Sequence, residues 1–315
     1  MSFAQALWLA VLQGFSELFP ISSIGHTVLV PALLGWHIDQ NGPAFLPFLV
    51  MLHLGTAAAL LAFFWRDWLA LIRALLRSVF RGKLSGDPDE HLAWMLVFGT
   101  VPTGVLGFFL ESRLKTLFAA PVLAAVFLIV NGAIMLLGER LRRRRSQESG
   151  VRSQESAISS RERGSGSDSR LLTPDSRRSG ALGATDGLAS LTWPKAVLIG
   201  LAQSAALIPG ISRSGSTMVA GLLADLKHEP AARFSFLLAT PIILAAGLLE
   251  VPTLMGPEGH ALLGMSLIGG VVAGITAFLS VKFLMRYFEF GRLDPFAYYC
   301  GAFGLLSLAI LVVRR

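Results

Sequence analysis

The chain has 315 residues, 53% of them hydrophobic and only 15% charged, with a mean hydropathy of +0.63. A soluble domain carries about a quarter charged residues, so the composition points away from a soluble globular protein and towards a polytopic membrane protein. The formal net charge of +7 does not imply nucleic acid. Residues 139–192 hold eleven Arg against seven Asp or Glu, and the other basic residues sit in short loops between apolar runs, where they mark the cytoplasmic side. The one cysteine, Cys300, excludes an internal disulfide or thiol metal cluster and reads as a small core residue.

The first apolar stretch, residues 3–19, has no basic leader and runs into Glu17 and Pro20, so no cleaved signal peptide is expected. A second apolar piece, Thr27 to Trp36, follows. Neither is a comfortable span of about twenty residues, and together (3–36) they predict a re-entrant hairpin. Spans are predicted at 45–65, 91–110 and 119–137, with an amphipathic interfacial stretch carrying Arg66, Arg73, Arg77 and Arg81 after the first. Residues 1–140 thus form a first membrane repeat. Residues 141–192, rich in Ser, Gly and Arg, predict a disordered cytoplasmic linker. Residues 193–315 form a second repeat: a hairpin at 194–226 and spans at 234–249, 261–284 and 295–313. Three spans per half force the second half to be inverted. The predicted fold is all-α, with six transmembrane helices and two re-entrant hairpins in an inverted-topology repeat.

The hairpins carry the polar breaks. Gln13 to His26 reads QGFSELFPISSIGH, and Gln203 to Ser216 reads QSAALIPGISRSGS. A shift of 190 positions aligns Gln13 with Gln203, Ile21 with Ile211, Ser22 with Ser212 and Gly25 with Gly215. Polar, Pro-broken segments in apolar surroundings, one per half, predict a central site between two repeats.

Glu17 lies in apolar sequence, where an acidic group is costly and marks a functional candidate. Gln13 lies four residues earlier, on the same helix face. Arg213 is the natural partner: it forks two donors towards phosphate or carboxylate oxygens, and the bland alternative is a structural Glu17–Arg213 ion pair. Ser212, Ser214, Gly215 and Thr217 surround Arg213 where a helix should begin, and a helix N-terminus is a ready anion site. At the first break, Ser22, Ser23 and His26 supply either a nucleophile with its base or a phosphate clamp with an acid; Ser22 and Ser23 also suit helix caps. His53 and His91 have no motif around them and read as packing or interface residues. The sequence offers no metal cage and no ATP-binding loop, although one carboxylate with phosphate oxygens suits Mg²⁺.

These motifs resemble the undecaprenyl-pyrophosphate phosphatase family, also called the bacitracin-resistance protein. Gln13 to His26 is similar to its [EQ]GxxEFLPxSSxGH motif, and Pro209 to Thr217 to its PGxSRSGxT motif. Leu18-Phe19 replaces Phe-Leu, Ile24 replaces Thr or Ser, and Gln13 stands where some members have Glu. The resemblance implies a phosphatase of the bacterial plasma (inner) membrane. It would hydrolyse undecaprenyl pyrophosphate to the monophosphate and phosphate at a site open to the outer, periplasmic face. That recycles the lipid carrier of peptidoglycan synthesis and confers bacitracin resistance. The resemblance also implies a divalent cation, Mg²⁺ or another such as Ca²⁺, held by Glu17 with Gln13. The expected catalytic set is Glu17, Ser23, His26 and Arg213. The expected phosphate-binding set is Ser22, Ser212, Arg213, Ser214, Gly215 and Thr217. Expected partners are the polyprenyl diphosphate and membrane lipids, with a homodimer left open. A polyprenyl-phosphate transporter using the same phosphate site is the rival reading.

Overall fold

The computed structural model describes residues 1–39, 42, 45–117, 120–162, 187–188, 191–254 and 256–314, with side chains outside 111–117, 149–162, 250–254 and 257–262. Among the described residues the only regular structure is helical. Six helices are long and apolar enough to cross a membrane. They are α3 (Phe45–Phe63), α5 (Pro88–Leu117), α6 (Pro121–Glu162), α9 (His228–Leu254), α10 (Pro257–Phe288) and α11 (Asp294–Val313). The remaining helices are α1 (Phe3–Ser16), α2 (Ser23–Leu34), the amphipathic α4 (Trp65–Arg81), α7 (Trp193–Gln203) and α8 (Arg213–Leu223). A 3₁₀ turn, Ser204–Leu207, follows α7.

Burial is inverted relative to a soluble protein. Phe109, Leu248, Leu249 and Ile275 are exposed on the spans, while Gln13, Asn131 and Gln203 are fully buried. Large apolar side chains turned outward and amides turned inward suit a lipid solvent, which is why the chain is a multi-pass membrane protein.

Small residues set the helix packing. α3 lies so close to α10 that a Cβ on Gly55 would sit 2.0 Å from the Gly270 carbonyl oxygen. α6 and α11 approach at Gly132, where a Cβ would meet the Ala297 carbonyl at 2.6 Å. Without a hydrophobic force between helices in lipid, such close backbone contact is the main source of cohesion.

Polar pairs tie one end of the bundle. Asp67 at the start of α4 accepts from Arg233 at 2.8 Å, and Glu139 of α6 pairs with His228 at 2.5 Å and accepts from the Leu293 N–H. Arg143 and Arg292 both reach Asp294. The start of α7 and the end of α8 belong to this end, joined by Lys195–Asp225 at 3.1 Å. At the other end, Arg314 donates to the Leu33 carbonyl near the close of α2, and the start of α1 packs on the start of α3 through Ala6 and Phe45.

Several helices run past their predicted bounds, α6 and α5 the furthest at one end. α6 continues to Glu162, so residues 141–162 are helical rather than the start of the linker. The reason is local: Arg, Glu, Gln and Ala are good helix formers, and the segment extends a helix already nucleated in the span. The rest of the predicted linker, residues 163–186, lies outside the described residues. Likewise α5 runs on to Leu117, beyond the predicted end at residue 110.

Candidate active site

Both polar segments interrupt a helix and end in a serine cap. α1 stops at Ser16, residues 17–21 form a turn containing Pro20, and Ser22 caps α2 by accepting the Gly25 N–H at 3.2 Å. In the second half Ser212 caps α8 by accepting the Gly215 N–H at 3.1 Å. The residues aligned by the sequence repeat therefore perform the same capping task. Ser22 does so at φ 69°, a left-handed backbone unusual for Ser and of the kind held in place at functional sites.

The two turns meet. A Cβ on Gly25 would lie 3.2 Å from the Cα of Gly210, itself at φ 100°. Asn131 of α6 pins them together: its amide donates to the Pro20 carbonyl at 3.1 Å, and its oxygen accepts from the Ser212 N–H at 3.0 Å. Ser214 adds a bond to the Phe19 carbonyl at 3.1 Å.

Beside this junction lies a cavity of 240 Å³ whose lining includes Glu17, Ser22, Ser23, His53, Ser212 and Arg213, together with Thr103 and Gln203. Since Ser22–Ser23 and Ser212–Arg213 are helix starts, two positive helix ends face one space. Glu17 is its hub. One carboxylate oxygen accepts from Arg213; the other accepts from Ser23 Oγ and from Gln13 Nε2 at 2.9 Å, and lies 3.4 Å from His53 Nε2. Arg213 also donates to the Ala239 carbonyl at 3.3 Å. His53 donates from Nδ1 to the Leu49 carbonyl at 2.8 Å, which leaves Nε2 facing the carboxylate.

Of the predicted site residues, the structure brings together Glu17, Ser22, Ser23, Ser212 and Arg213, with Gln13 directly behind Glu17. It does not bring His26 there. His26 Nδ1 bonds the Ser22 carbonyl at 2.7 Å, which can only accept, and Nε2 pairs with the Tyr299 hydroxyl at 2.9 Å. Its ring stacks on Phe303 at 5.0 Å, against α11. Ser214, Gly215 and Thr217 are also absent from the cavity lining. Thr217 Oγ1 bonds the Arg213 carbonyl and Ser235 Oγ at 2.6 Å, Ser214 bonds Phe19, and Gly215 packs against Ser212, Asn131 and Pro20. One helical turn past a cap, side chains rotate away from the pocket that the cap faces.

Sequence reasoning set His53 aside as a packing or interface residue and passed over Asn131 and Thr103. Each is a lone polar residue inside an apolar span, the signal that could have marked them.

A metal is testable against the donors present. Among the described residues no three His, Cys, Asp or Glu side chains form a cage. Yet Gln13, whose Nε2 donates to Glu17 Oε2, keeps its Oε1 buried without a hydrogen-bond partner, and turning that amide over would bring the oxygen to the carboxylate. A carboxylate with one free amide oxygen suits Mg²⁺, which keeps waters and takes phosphate oxygens for the rest of its shell.

The family model described as bacitracin resistance protein BacA matches residues 6–306. The chain belongs to that family. Similar proteins include undecaprenyl-diphosphatase 2 of Frankia alni, 44% identical over 341 residues, covering 100% of this chain and 98% of that protein. Undecaprenyl-diphosphatase of Acidiphilium cryptum is 45% identical, covering 97% of each chain, and that of Mycolicibacterium paratuberculosis is 45% identical, covering 100% and 99%. The BacA match takes in both hairpins and every cavity-lining residue named above.

Proposed function

We propose that this BacA-family chain hydrolyses undecaprenyl diphosphate to undecaprenyl phosphate and inorganic phosphate, recycling the carrier of peptidoglycan synthesis and conferring bacitracin resistance. The observation that carries the reading is the convergence of Glu17, Ser23 and Arg213 on one cavity faced by two helix N-termini. That set combines an anion clamp with a nucleophile and a base, which binding alone does not require.

In the reaction, Arg213 and the helix ends hold the diphosphate, where charge develops in a preorganised, water-poor site. Ser23 Oγ attacks the terminal phosphorus and gives its proton to Glu17; the bond to the bridging oxygen breaks and undecaprenyl phosphate leaves with that electron pair. Water then attacks the phosphoserine, His53 Nε2 takes the water proton, Glu17 returns its proton to Ser23 Oγ as the phosphorus–Oγ bond breaks, and His53 passes its proton to the departing phosphate. Glu17 and Gln13 Oε1 would hold a Mg²⁺ that neutralises phosphate charge.

α1–α2 and α7–α8 form two re-entrant hairpins in an inverted repeat. The matched Ser22 and Ser212 caps support this, as do the hairpin ends at opposite poles of the bundle. The end bearing Arg143, Arg233 and Arg292 is cytoplasmic by its positive charge. The first hairpin then opens to the periplasmic side of the inner membrane.

The same mirrored breaks favour a second reading, carriage of polyprenyl phosphate across the bilayer. Expression in cells made bacitracin-sensitive by loss of their own diphosphatases tests the first reading: wild type restores tolerance and Glu17→Gln does not. Restored tolerance with no phosphate release by the purified protein, but with lipid-phosphate flipping in liposomes, would transfer support to the second.

A further inference from the structure

The cavity at Glu17 and Arg213 has a more uniformly apolar neighbour. α4, α5 and α9 enclose a groove of 590 Å³, walled by Leu71, Leu75, Leu96, Val101 and Ala245. Its one hydroxyl, Thr100, is already bonded to the Leu96 carbonyl at 2.7 Å. Apart from the Trp68 indole N–H, which is buried without a hydrogen-bond partner, the lining offers a polar solute nothing.

Two features join the groove to the site. Ile242 lines both spaces. On α5 the boundary falls between adjacent residues, since Thr103 faces the cavity and Gly104 the groove. The groove-lining part of α5 runs from Ala93 to Val105, about 18 Å at the α-helical rise. Its lip is open to lipid: Ile72, Val101 and Val105 are each about half exposed. A molecule with an anionic head and a long apolar tail, sliding in from the bilayer, would meet both surfaces at once.

We propose that the α4–α5–α9 groove is the binding subsite for the first isoprene units of the polyprenyl chain, continuous with the diphosphate cavity at Ile242. The proposal rests on the diphosphatase reading and adds where the tail goes. Head and tail are then recognised by separate surfaces, and blocking the groove raises KM without disturbing the headgroup site.

Gly104 is the point of intervention, because a Cβ there meets only Ile242 Cδ1, at 3.8 Å. Gly104→Trp and, independently, Ala245→Trp should fill the groove. With undecaprenyl diphosphate as substrate, KM is expected to rise about tenfold or more with kcat little changed. Competitive inhibition by inorganic diphosphate should stay at the wild-type value, which also shows that the variants fold. An unchanged KM, or a KM and an inhibition constant that rise together, overturns the proposal. If wild type releases no phosphate at all, the diphosphatase reading has failed, and the groove is tested by photolabelling with a diazirine-bearing polyprenyl phosphate. Label in residues 93–105 that undecaprenyl phosphate displaces and phosphatidylglycerol does not supports the subsite. Label elsewhere, or displaced equally by both lipids, refutes it.

Discussion

Arg213 donates to Glu17 across 196 residues of sequence, joining the first polar break to the second inside the membrane. The pair neutralises two charges where neither could stand alone. It also holds the base against Ser23 and keeps the guanidinium at the cavity wall.

Arg213→Ala should therefore lose stability as well as turnover. Stranding the buried Glu17 carboxylate costs about 3–5 kcal/mol. Adding Glu17→Gln removes the stranded charge and should recover most of that loss without recovering activity. Thermal unfolding followed by fluorescence-detected size exclusion measures both; a double variant no more stable than Arg213→Ala would contradict the pairing.

Ser23 and His53 should act in different half-reactions. Ser23→Ala is expected to lower kcat far beyond what the loss of its hydrogen bond to Glu17 would cost in stability, and to leave no phosphoserine in quenched reactions with labelled substrate. His53→Ala should slow kcat by about 10²-fold or more and accumulate phosphoserine at Ser23. Equal absence of phosphoserine in both variants, at high activity, would favour direct attack by water.

His26→Gln separates a packing histidine from a catalytic one. With its ring between Phe303 and the Tyr299 hydroxyl, the change should cost about 1–3 kcal/mol of stability. The loss in kcat should fall well short of the 10²–10⁴-fold expected of a general acid or base.

Asn131→Leu frees the two turns. The Pro20 carbonyl and the Ser212 N–H each lose a buried partner, at about 1–3 kcal/mol apiece. Melting temperature and kcat should fall together, because the Ser212 cap and Ser23 rest on that junction.

The amide at Gln13 predicts weak metal binding. EDTA should abolish turnover and Mg²⁺ restore it. Gln13→Glu should lower the Mg²⁺ needed for half activation, and Gln13→Leu should raise it. A Mg²⁺ titration of the three proteins, with identical curves as the contrary result, checks this.

Much of this was legible before the structure. The spans follow from runs of apolar residues, and the two helix breaks from Pro20 and Pro209. The meeting of Glu17 and Arg213 followed from the cost of burying either alone. His53, Asn131 and Thr103 were not legible as site residues, because their partners come from other helices: Thr103 bonds Gln203, and Asn131 reaches both turns. The spacing of His26 from Ser23 describes a helix face, whereas Tyr299 and Phe303 of α11 decide where the ring lies. The continuation of α6 past residue 141 was hidden by a composition that suits both a solvated helix and a linker.

The measurement that bears most directly on the central claim is phosphate release from undecaprenyl diphosphate by purified wild type and Glu17→Gln in the same detergent, with Mg²⁺. The expected result is steady release by wild type and loss of at least two decades in the variant, with both proteins monodisperse. Release by Glu17→Gln at the wild-type rate would contradict the assignment of Glu17, Ser23 and Arg213 as the hydrolytic centre.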